Sequence, residues 1–415
     1  MSPERKPLLP VVLGGDFGVY GMGRSFHQAY GCRVLCVNSA PTAAISRSTF
    51  FDHHPLPEGA TDEQVIHELL GIGAAYPDYD LVLMANHDLH SVLIARHREE
   101  LSQYYALPFP STEVIDRLTD KAAFAQACAD LGIPTPQTVI VDFTGADSPQ
   151  WTAPHIPFEF PIVAKSSAGE PYDRLEFEGK RKIWFIESAE ELTSLWQTLI
   201  QAGFRDRFLV QELIPGDNTA MRSITAYVDS RGQVSLIGSA RVLLEDHAPT
   251  MIGNPVAMIT EPFPQLWADA SKLLTTHGYR GFANFDVKID PRDGRAVFFE
   301  VNPRIGRNNW YMTAAGHNPM IHMVSDLVYG QPLDAAVVEE EILYSMVPDS
   351  LLLRYIRDES LRERVHNLMR TGRRHDPLLY PSDRSLMRTL VVRAQKLNHI
   401  RKFRRYYPEP TDRSF

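Results

Sequence analysis

The sequence predicts an α/β protein in three parts: a parallel-sheet domain, a larger α+β unit and a basic helical extension. Length is the first observation, because 415 residues at roughly 150 per domain allow two to four domains. Strand and helix patterns alternate over the first 110 residues, and runs of strands follow. Charge is also uneven: residues 351–415 hold 16 Lys and Arg against 7 Asp and Glu, whereas residues 1–350 hold 26 against 44.

Composition excludes several classes of protein. The 44% hydrophobic and 22% charged content is typical of folded chains rather than disordered ones. No apolar stretch approaches the roughly 20 residues that cross a bilayer, and the run ending at Leu13 stops at Gly14 too early for a signal peptide. Three cysteines argue against a disulfide framework. We therefore expect a cytoplasmic protein, and no motif predicts nucleic-acid binding.

The N-terminal domain, residues 1–110, is predicted to be a parallel sheet with helices on its faces. Its strands are predicted at Pro10–Leu13, Val34–Val37 and Leu81–Ala85. Its helices are predicted at Arg24–Tyr30, Asp62–Leu70 and Ser91–Leu101. The prolines Pro108 and Pro110 then break the pattern and mark a domain boundary.

Two short motifs of this domain could face a ligand. Gly18, Gly21 and Gly23 lack the spacing of a dinucleotide-binding loop, so we interpret them as a tight turn that could also face substrate. Asn86-His87-Asp88 follows a strand at the edge where open parallel sheets bind ligands. In the alternative interpretation, Asn86 or Asp88 caps the next helix.

The second unit, residues 111–330, begins with a helix over Ala122–Leu131, which Thr119 or Asp120 can cap and Gly132 ends. Further helices are predicted at Glu190–Ala202 and Phe263–His277. Many strands with few helices indicate antiparallel sheets. We divide the unit into two lobes, of about residues 111–208 and 209–330. The strands are predicted at Thr138–Val141, Pro161–Lys165, Lys182–Ile186, Phe208–Glu212, Ser223–Tyr227, Val234–Arg241, Phe282–Ile289 and Ala296–Val301.

The third part, residues 331–415, is predicted to end in a helix over about Asp383–Arg405. One face of this helix is apolar, and Arg and Lys lie opposite. We favour a packed apolar face with a solvated basic face over an anionic docking surface. A basic end on an acidic chain nevertheless suggests an anionic partner. The apolar residues are Leu386, Met387, Leu390, Val391, Ala394 and Leu397.

The last two predicted strands carry the strongest chemical signal. Asp290–Gly294 predicts a hairpin turn, which would bring Asp286 opposite Glu300, with Asn302 on the same face. Two carboxylates and an amide oxygen form a hard-oxygen site that favours Mg²⁺, with Mn²⁺ as an alternative. A solvated strand face with unrelated acids is the competing interpretation, and the flanking phenylalanines make it less favoured.

Cations that could neutralise phosphate lie upstream. Lys165 ends a strand and precedes Ser166-Ser167-Ala168-Gly169, whose small side chains let backbone N–H groups approach an oxyanion. Lys121 stands in the first turn of its helix, where its charge opposes the helix dipole and suggests an external anion. Arg304 and Arg241 are candidates for neutralising charge that develops during phosphoryl or acyl transfer.

The ordered set of these motifs resembles the ATP-grasp superfamily over about residues 110–320, and therefore implies a two-lobed ATP-grasp fold. Within it, the chain is most similar to the carboxylate–amine ligases, especially the D-aspartate ligase family of bacterial cell-wall synthesis. The Gly14-Gly15-Asp16 strand end and Tyr20–His27 support the narrower resemblance. The superfamily motifs are Asp120-Lys121, Gly132–Pro136, Val163-Ala164-Lys165, Val210–Gly216, Asp286 and Phe299–Arg304.

The resemblance implies roles for the motif residues. Lys121 and Lys165 would hold the ATP phosphates, and Arg304 would stabilise the phosphorylated intermediate. Adenine would be contacted by Gln211, Glu212 and Ile214, ribose by Asp217 or Asn218, and Mg²⁺ by Asp286, Glu300 and Asn302. Asn284 stands where D-alanine ligases place an arginine, so the second arginine is either Arg241 or Arg222. The phosphate-covering loop has one glycine, Gly169, where many relatives have several.

The implied activity is ATP-dependent amide formation through an acyl phosphate. The narrower resemblance implies D-aspartate as the acid and a lysine-type amine on a peptidoglycan precursor. From its charge, the basic tail could then contact the anionic precursor or an anionic membrane surface. Two alternatives stay open, namely another ATP-grasp amino-acid ligase and a protein that senses ATP without chemistry. The sequence leaves the oligomeric state open.

Overall fold

A computed structural model describes residues 5–411 apart from 168–171, 173, 174, 182, 249, 250 and 384. Three sheets organise this part of the chain. The predicted mixed α/β class is confirmed. Within the described ranges, no helix is both long and apolar enough to traverse a bilayer.

The first sheet is parallel and has the strand order β3-β2-β1-β4-β5. The prediction missed β3, an edge strand with several exposed polar side chains, and the two-residue β5. The strands are β1 Leu8–Leu13, β2 Val34–Asn38, β3 Phe51–Pro55, β4 Asp80–Ala85 and β5 Tyr105–Ala106. The helices are α1 Phe17–Tyr30, α2 Ala43–Ser46, α3 Asp62–Ala75, α4 Asp88–Arg96 and α5 Arg98–Leu101.

Helix α1 begins seven residues before its predicted start, so interpreting Gly18, Gly21 and Gly23 as a turn was wrong. The Asp16 carboxylate caps the helix by accepting from the backbone N–H groups of Gly18 and Val19. A Cβ on Gly18 would lie 2.8 Å from the Arg307 carbonyl oxygen, and one on Gly23 would overlap the Phe51 ring. The glycines therefore let this helix pack closely against its neighbours.

The second sheet is antiparallel, with the order β6-β9-β7-β8. Asp120 caps the following helix as predicted, accepting from Ala122 and Ala123 N–H groups. The strands are β6 Thr138–Asp142, β7 Ile162–Ser166, β8 Trp184–Ile186 and β9 Arg207–Glu212. The helices that accompany it are α6 Thr112–Thr119, α7 Lys121–Asp130 and α8 Ala189–Gln201.

The third sheet has the order β14-β13-β10-β11-β12-β16-β17, with β15 beside β11. Its last three strands follow residue 331, so the C-terminal part of the chain contributes to this sheet as well as forming helices. The strands are β10 Met221–Val228, β11 Val234–Glu245, β12 Pro255–Thr260, β13 Gly281–Ile289, β14 Ala296–Asn302, β15 Ala336–Val337, β16 Leu343–Ser345 and β17 Arg374–His375. The helices are α9 Pro264–Thr276, α10 Trp310–Ala314, α11 Pro319–Leu327, α12 Asp349–Tyr355, α13 Glu359–Arg370 and α14 Leu386–Tyr406.

Helix α14 forms where predicted, but the predicted burial of its apolar face was wrong. Leu386, Leu390 and Leu397 are exposed, whereas Arg388 is buried. Arg388 pairs with Asp383 at 2.9 Å and donates to the carbonyl oxygens of Ala44 and Leu378. These polar contacts fix the inward side of the helix.

Candidate active site

The hairpin of β13 and β14 pairs Asp286 with Glu300 and Asn284 with Asn302, as the turn predicted. Paired residues share a face, so both carboxylates and the Asn302 amide project from the same side of the sheet. Asn302 is buried, and its Nδ2 lies 3.4 Å from Asp286 Oδ2. The geometry therefore gathers the three predicted oxygen-bearing side chains.

The two carboxylates have opposite electrostatic surroundings. Burial, followed by the neighbouring Glu300 carboxylate, raises the pKa of Asp286 to about 7. Lys121, which contacts Glu300 directly, lowers the pKa of Glu300 to about 2 despite burial. The negative charge near Asp286 is thus incompletely neutralised, as expected of a site that accepts a cation. Among the described residues, no cluster of three or more His, Cys, Asp or Glu side chains suits a metal ion. A metal site on this hairpin would need the amide oxygen of Asn302 as a third donor.

The two predicted lysines converge on this hairpin from the second sheet and its helix. Lys121 begins α7 and contacts Glu300 although 179 residues separate them. Lys165 lies on β7, and its charge also lowers the pKa of Glu300. Ser166 and Ser167 follow it, whereas the predicted phosphate loop residue Gly169 lies outside the described residues.

The carboxyl edge of the parallel sheet reaches the same region through two ion pairs. Arg304 Nε lies 3.1 Å from Asp88 Oδ1, and its charge lowers the pKa of Glu300. Arg307 Nε lies 2.6 Å from Asp16 Oδ2, and Asn86 Nδ2 donates to Asp16 Oδ1 at 2.9 Å. The helix-cap interpretation of Asn86 and Asp88 was wrong, because α4 has no side-chain cap.

Arg241 and Arg222 do not lie among the carboxylates. They face each other across β10 and β11, and Arg222 also pairs with Val287, the neighbour of Asp286. Because adjacent residues of a strand point to opposite faces, both arginines lie on the other face of the sheet. Arg222 stacks 4.8 Å above Phe263, and burial lowers its pKa to about 10.

The predicted nucleotide-binding residues lie along the connection from β9 to β10. Gln211 is buried and donates to Thr138 Oγ1 at 2.9 Å, while Glu212 accepts from the Gln137 N–H at 3.0 Å. Ile214 is buried beyond them. Asp217 caps a short 3₁₀ turn over Asn218–Ala220, and Asn218 is buried. The structure thus brings these residues together where one sheet leads into the other.

Sequence reasoning missed Lys288 and Glu245, which lie near the carboxylates, and Arg307, which pairs with Asp16 at the edge of the parallel sheet. Lys288 follows Asp286 by two residues, which could have drawn attention to it, and it is buried. Burial raises the pKa of Glu245 to about 7, and the charge of Glu245 raises the pKa of Asp286. Irregularities in β11 after Val242 change the alternation, so strand periodicity could not have found Glu245. The only sequence feature that could have identified Arg307 is its position three residues after Arg304.

Sequence comparison finds two informative relatives. The chain is 31% identical over 414 residues to D-aspartate ligase of Enterococcus faecium, covering 98% of each protein. It is 25% identical over 237 residues to the carbamoyl phosphate synthase large chain of Deinococcus radiodurans, which is 54% of this chain and 21% of that protein. No protein-family model matches the chain.

Solved structures agree on the fold. L-amino acid ligase from Bacillus licheniformis has a TM-score of 0.55 at 16% identity, over 80% of this chain and 76% of that one. The biotin carboxylase domain of Hydrogenobacter thermophilus 2-oxoglutarate carboxylase, in complex with MgADP, ADP and bicarbonate, has a TM-score of 0.60 at 14% identity, over 82% and 74%. Such identities concern the ATP-grasp fold alone. Because the likeness to D-aspartate ligase extends over nearly the whole chain, this protein belongs to the D-aspartate ligase family of the ATP-grasp superfamily and is an ATP-dependent carboxylate–amine ligase.

Proposed function

We propose that the enzyme joins D-aspartate to an amine on the side chain of a peptidoglycan precursor, and that ATP is converted to ADP and phosphate. The name of the Enterococcus relative supports the acid. The observation that carries the proposal is the contact of Lys121 with Glu300, opposite Asp286. It gathers cations and carboxylates at one point, as phosphoryl transfer requires.

Asp286, Glu300 and Asn302 are the proposed ligands of Mg²⁺, or of Mn²⁺. Oxygen donors suit such hard cations, and the raised pKa of Asp286 indicates negative charge that a cation would offset. A flip of the Asn302 amide would present its oxygen in place of Nδ2. When bound, the metal would neutralise charge on the phosphate oxygens of ATP.

In the first proposed step, a carboxylate oxygen of the acid attacks the γ-phosphorus of ATP. The bond from that phosphorus to the β–γ bridging oxygen breaks, so that ADP leaves and an acyl phosphate forms. Lys121 and Lys165 would hold the phosphate oxygens and offset their charge. Gln211, Glu212 and Ile214 would contact adenine, and Asp217 or Asn218 would contact ribose.

In the second step, the neutral amine attacks the acyl carbon, phosphate leaves and the nitrogen loses a proton. Arg304 would stabilise the oxyanion of the tetrahedral intermediate, because its charge already acts on Glu300. We propose Arg307 as the second arginine in place of Arg241, which faces away. The Arg307–Asp16 pair at the sheet edge offers one charge of each sign, which suits the carboxylate and ammonium of an amino acid.

Two alternative functions remain. One is a ligase of the same family with another acid or amine, which a substrate panel distinguishes. The other is a non-catalytic ATP sensor. The complete set of Asp286, Glu300 and Asn302, together with two lysines, favours catalysis, because a sensor could dispense with a metal ligand.

Hydroxylamine trapping tests the proposal. Purified protein is incubated with ATP, Mg²⁺ and hydroxylamine against D- and L-amino acids, and hydroxamate and ADP are measured. We expect hydroxamate with D-aspartate and not with L-aspartate. Hydroxamate with a different acid would reject D-aspartate while retaining the ligase, and ADP formation without hydroxamate for any acid would reject the acyl phosphate.

The proposed partners are small molecules and the precursor, with no nucleic acid. The proposed location is the cytoplasm, where ATP is available. Free thiols at Cys32, Cys36 and Cys128 are compatible with a reducing compartment.

A further inference from the structure

The outward face of α14 carries an exposed apolar stripe. Leu386 is 81% exposed, Leu390 55% and Leu397 59%, and Met387 is 54% exposed beside them. At 100° per residue these side chains and exposed Ala394 fall within roughly one third of the helix circumference. Exposed apolar clusters of this kind mark interaction surfaces.

The same face becomes basic towards the end of the helix. Arg401, Arg404 and Arg405 are exposed and fall in the angular sector of the stripe, and exposed Arg393 borders it. Residues 386–406 contain no Asp or Glu. Among the described residues, none of these four arginines has a carboxylate within ion-pair distance, although Arg405 stacks on Tyr406.

The other cations of the helix point inward and are paired. Arg388 pairs with Asp383 at 2.9 Å, Lys396 with Asp376 at 3.0 Å and Lys402 with Asp246 at 2.8 Å. Phe403 and Val392 are buried on this inward side. The helix is therefore held in this rotation, and it cannot bury the stripe without breaking three ion pairs.

We propose that this face of α14 binds an anionic lipid surface, with the helix lying in the plane of the membrane interface. Leucine and methionine side chains would enter the acyl boundary, and the arginines would meet phosphate headgroups. The first 350 residues carry 26 basic and 44 acidic residues, so they would be repelled and the helix would face the membrane. The inference does not depend on the proposed substrates.

Charge distinguishes this partner from a second copy of the chain. In an antiparallel pair of helices, the leucines near residue 390 would face the arginines near residue 404. In a parallel pair, Arg401, Arg404 and Arg405 would face their own copies. The antiparallel pair would therefore bury unpaired charges, and the parallel pair would place like charges opposite each other. An anionic bilayer instead offers an apolar interior to the leucines and phosphates to the arginines.

Vesicle co-sedimentation of the full chain tests the proposal. We expect wild-type protein to bind phosphatidylglycerol-containing vesicles at least tenfold more than phosphatidylcholine vesicles, and to bind less as salt rises. We expect L386S/L390S/L397S and R401Q/R404Q/R405Q each to lose at least tenfold in binding.

Matched controls separate this surface from general effects. L89S/I321S removes exposed apolar side chains elsewhere. R362Q/R370Q/R373Q removes three arginines of the same C-terminal part, of which Arg370 and Arg373 are exposed and Arg362 is half-buried. Both controls should bind vesicles like the wild type, and all variants should keep wild-type melting temperatures. The proposal would be overturned if L386S/L390S/L397S and R401Q/R404Q/R405Q both bound vesicles as strongly as the wild type. It would also be overturned if the wild type did not bind at low salt. If the wild type were a dimer and only L386S/L390S/L397S were monomeric, without a change in vesicle binding, the face would be assigned to contact with a second copy instead.

Discussion

At the scale of single residues, the site depends on negative charge that the chain alone does not fully neutralise. Asp286 has a pKa raised to about 7 by burial and by Glu300, whereas Glu300 is held ionised by Lys121. Removing a carboxylate should therefore relieve repulsion in the metal-free protein while removing a ligand from the proposed metal site.

We predict that Asp286→Asn raises the free energy of unfolding of the metal-free protein by about 1 kcal/mol at pH 8. Hydroxamate formation should fall by roughly 100-fold or more, and Mg²⁺ with ADP should no longer raise the melting temperature. Asp293→Asn, in the turn of the same hairpin, is the control and should leave all three unchanged. An active Asp286→Asn enzyme that Mg²⁺ and ADP still stabilise would show that Asp286 is not a ligand.

The arginines give a second residue-scale prediction, measured by steady-state kinetics with the proposed acid. Arg304→Lys should lower kcat by roughly 100-fold, because a lysine cannot reproduce the planar guanidinium. Arg307→Lys should mainly raise KM for the acid. Arg241→Lys should change either constant by less than about threefold, since Arg241 lies on the opposite face. A loss with Arg241→Lys as large as with Arg304→Lys would contradict the proposed roles.

At the scale of elements, the close packing of α1 holds the parallel sheet against the ATP-grasp unit. Asp16 both caps α1 and pairs with Arg307, and Gly18 lies against the Arg307 backbone. A displacement of this helix should therefore move Asp16 and Arg307 and weaken binding at the proposed acid-binding site.

We predict that Gly18→Ala lowers the free energy of unfolding by about 1–3 kcal/mol and raises KM for the acid. The added Cβ would meet the Asn86 side chain and the Arg307 carbonyl oxygen. Gly71→Ala is the matched control within α3, where a Cβ has open space, and it should stabilise by up to about 1 kcal/mol. Thermal melts and kinetics check both. Equal melting temperatures for the two variants would contradict the packing argument.

Local patterns predicted the elements whose geometry is local. The β13–β14 hairpin followed from its turn, and the start of α7 followed from Asp120 as its cap. Features fixed by distant contacts, namely the start of one helix and the inward side of another, were predicted wrongly. The glycines at the start of α1 favour a turn in the sequence, and only their tertiary packing explains why they lie in a helix. In α14, Arg388 points inward because it pairs with Asp383 and donates to the Ala44 carbonyl oxygen. Within the site, strand alternation found Asp286 and Glu300 but could not anticipate the irregularities of β11 that bring in Glu245.

At the scale of the whole molecule, buried and half-buried histidines couple stability to acidity. Burial is the main cause that lowers the pKa of four histidines to about 4. These side chains lie on four separate elements or loops, so no single site is involved. They are His90, His247, His322 and His399.

The direction of the pH effect follows from these shifts. An unfolded histidine has a pKa of about 6.5, so below that pH the unfolded chain binds protons that the fold excludes. The stability that comes from keeping these histidines neutral is fully present above pH 6.5. The free energy of unfolding then decreases as the pH falls from 6.5 towards 4. We predict that the free energy of unfolding falls between pH 7 and pH 5 by about 2 kcal/mol for each of these histidines.

His322 allows this to be measured one group at a time. It is buried, and its Nδ1 has no hydrogen-bond partner among the described residues, so His322→Gln removes a titrating group with little other loss. Urea unfolding from pH 7 to pH 5 should show a smaller decrease for this variant than for the wild type, by about 2 kcal/mol. His67→Gln, at an exposed position of α3, should follow the wild-type curve. If His322→Gln retained the full wild-type decrease, the prediction for His322 would be contradicted. Carboxylates whose pKa is lowered, such as Asp52 beside Arg33, are a separate cause of acid sensitivity. The loss from such carboxylates would continue below pH 4, and the two pH windows therefore separate the two causes.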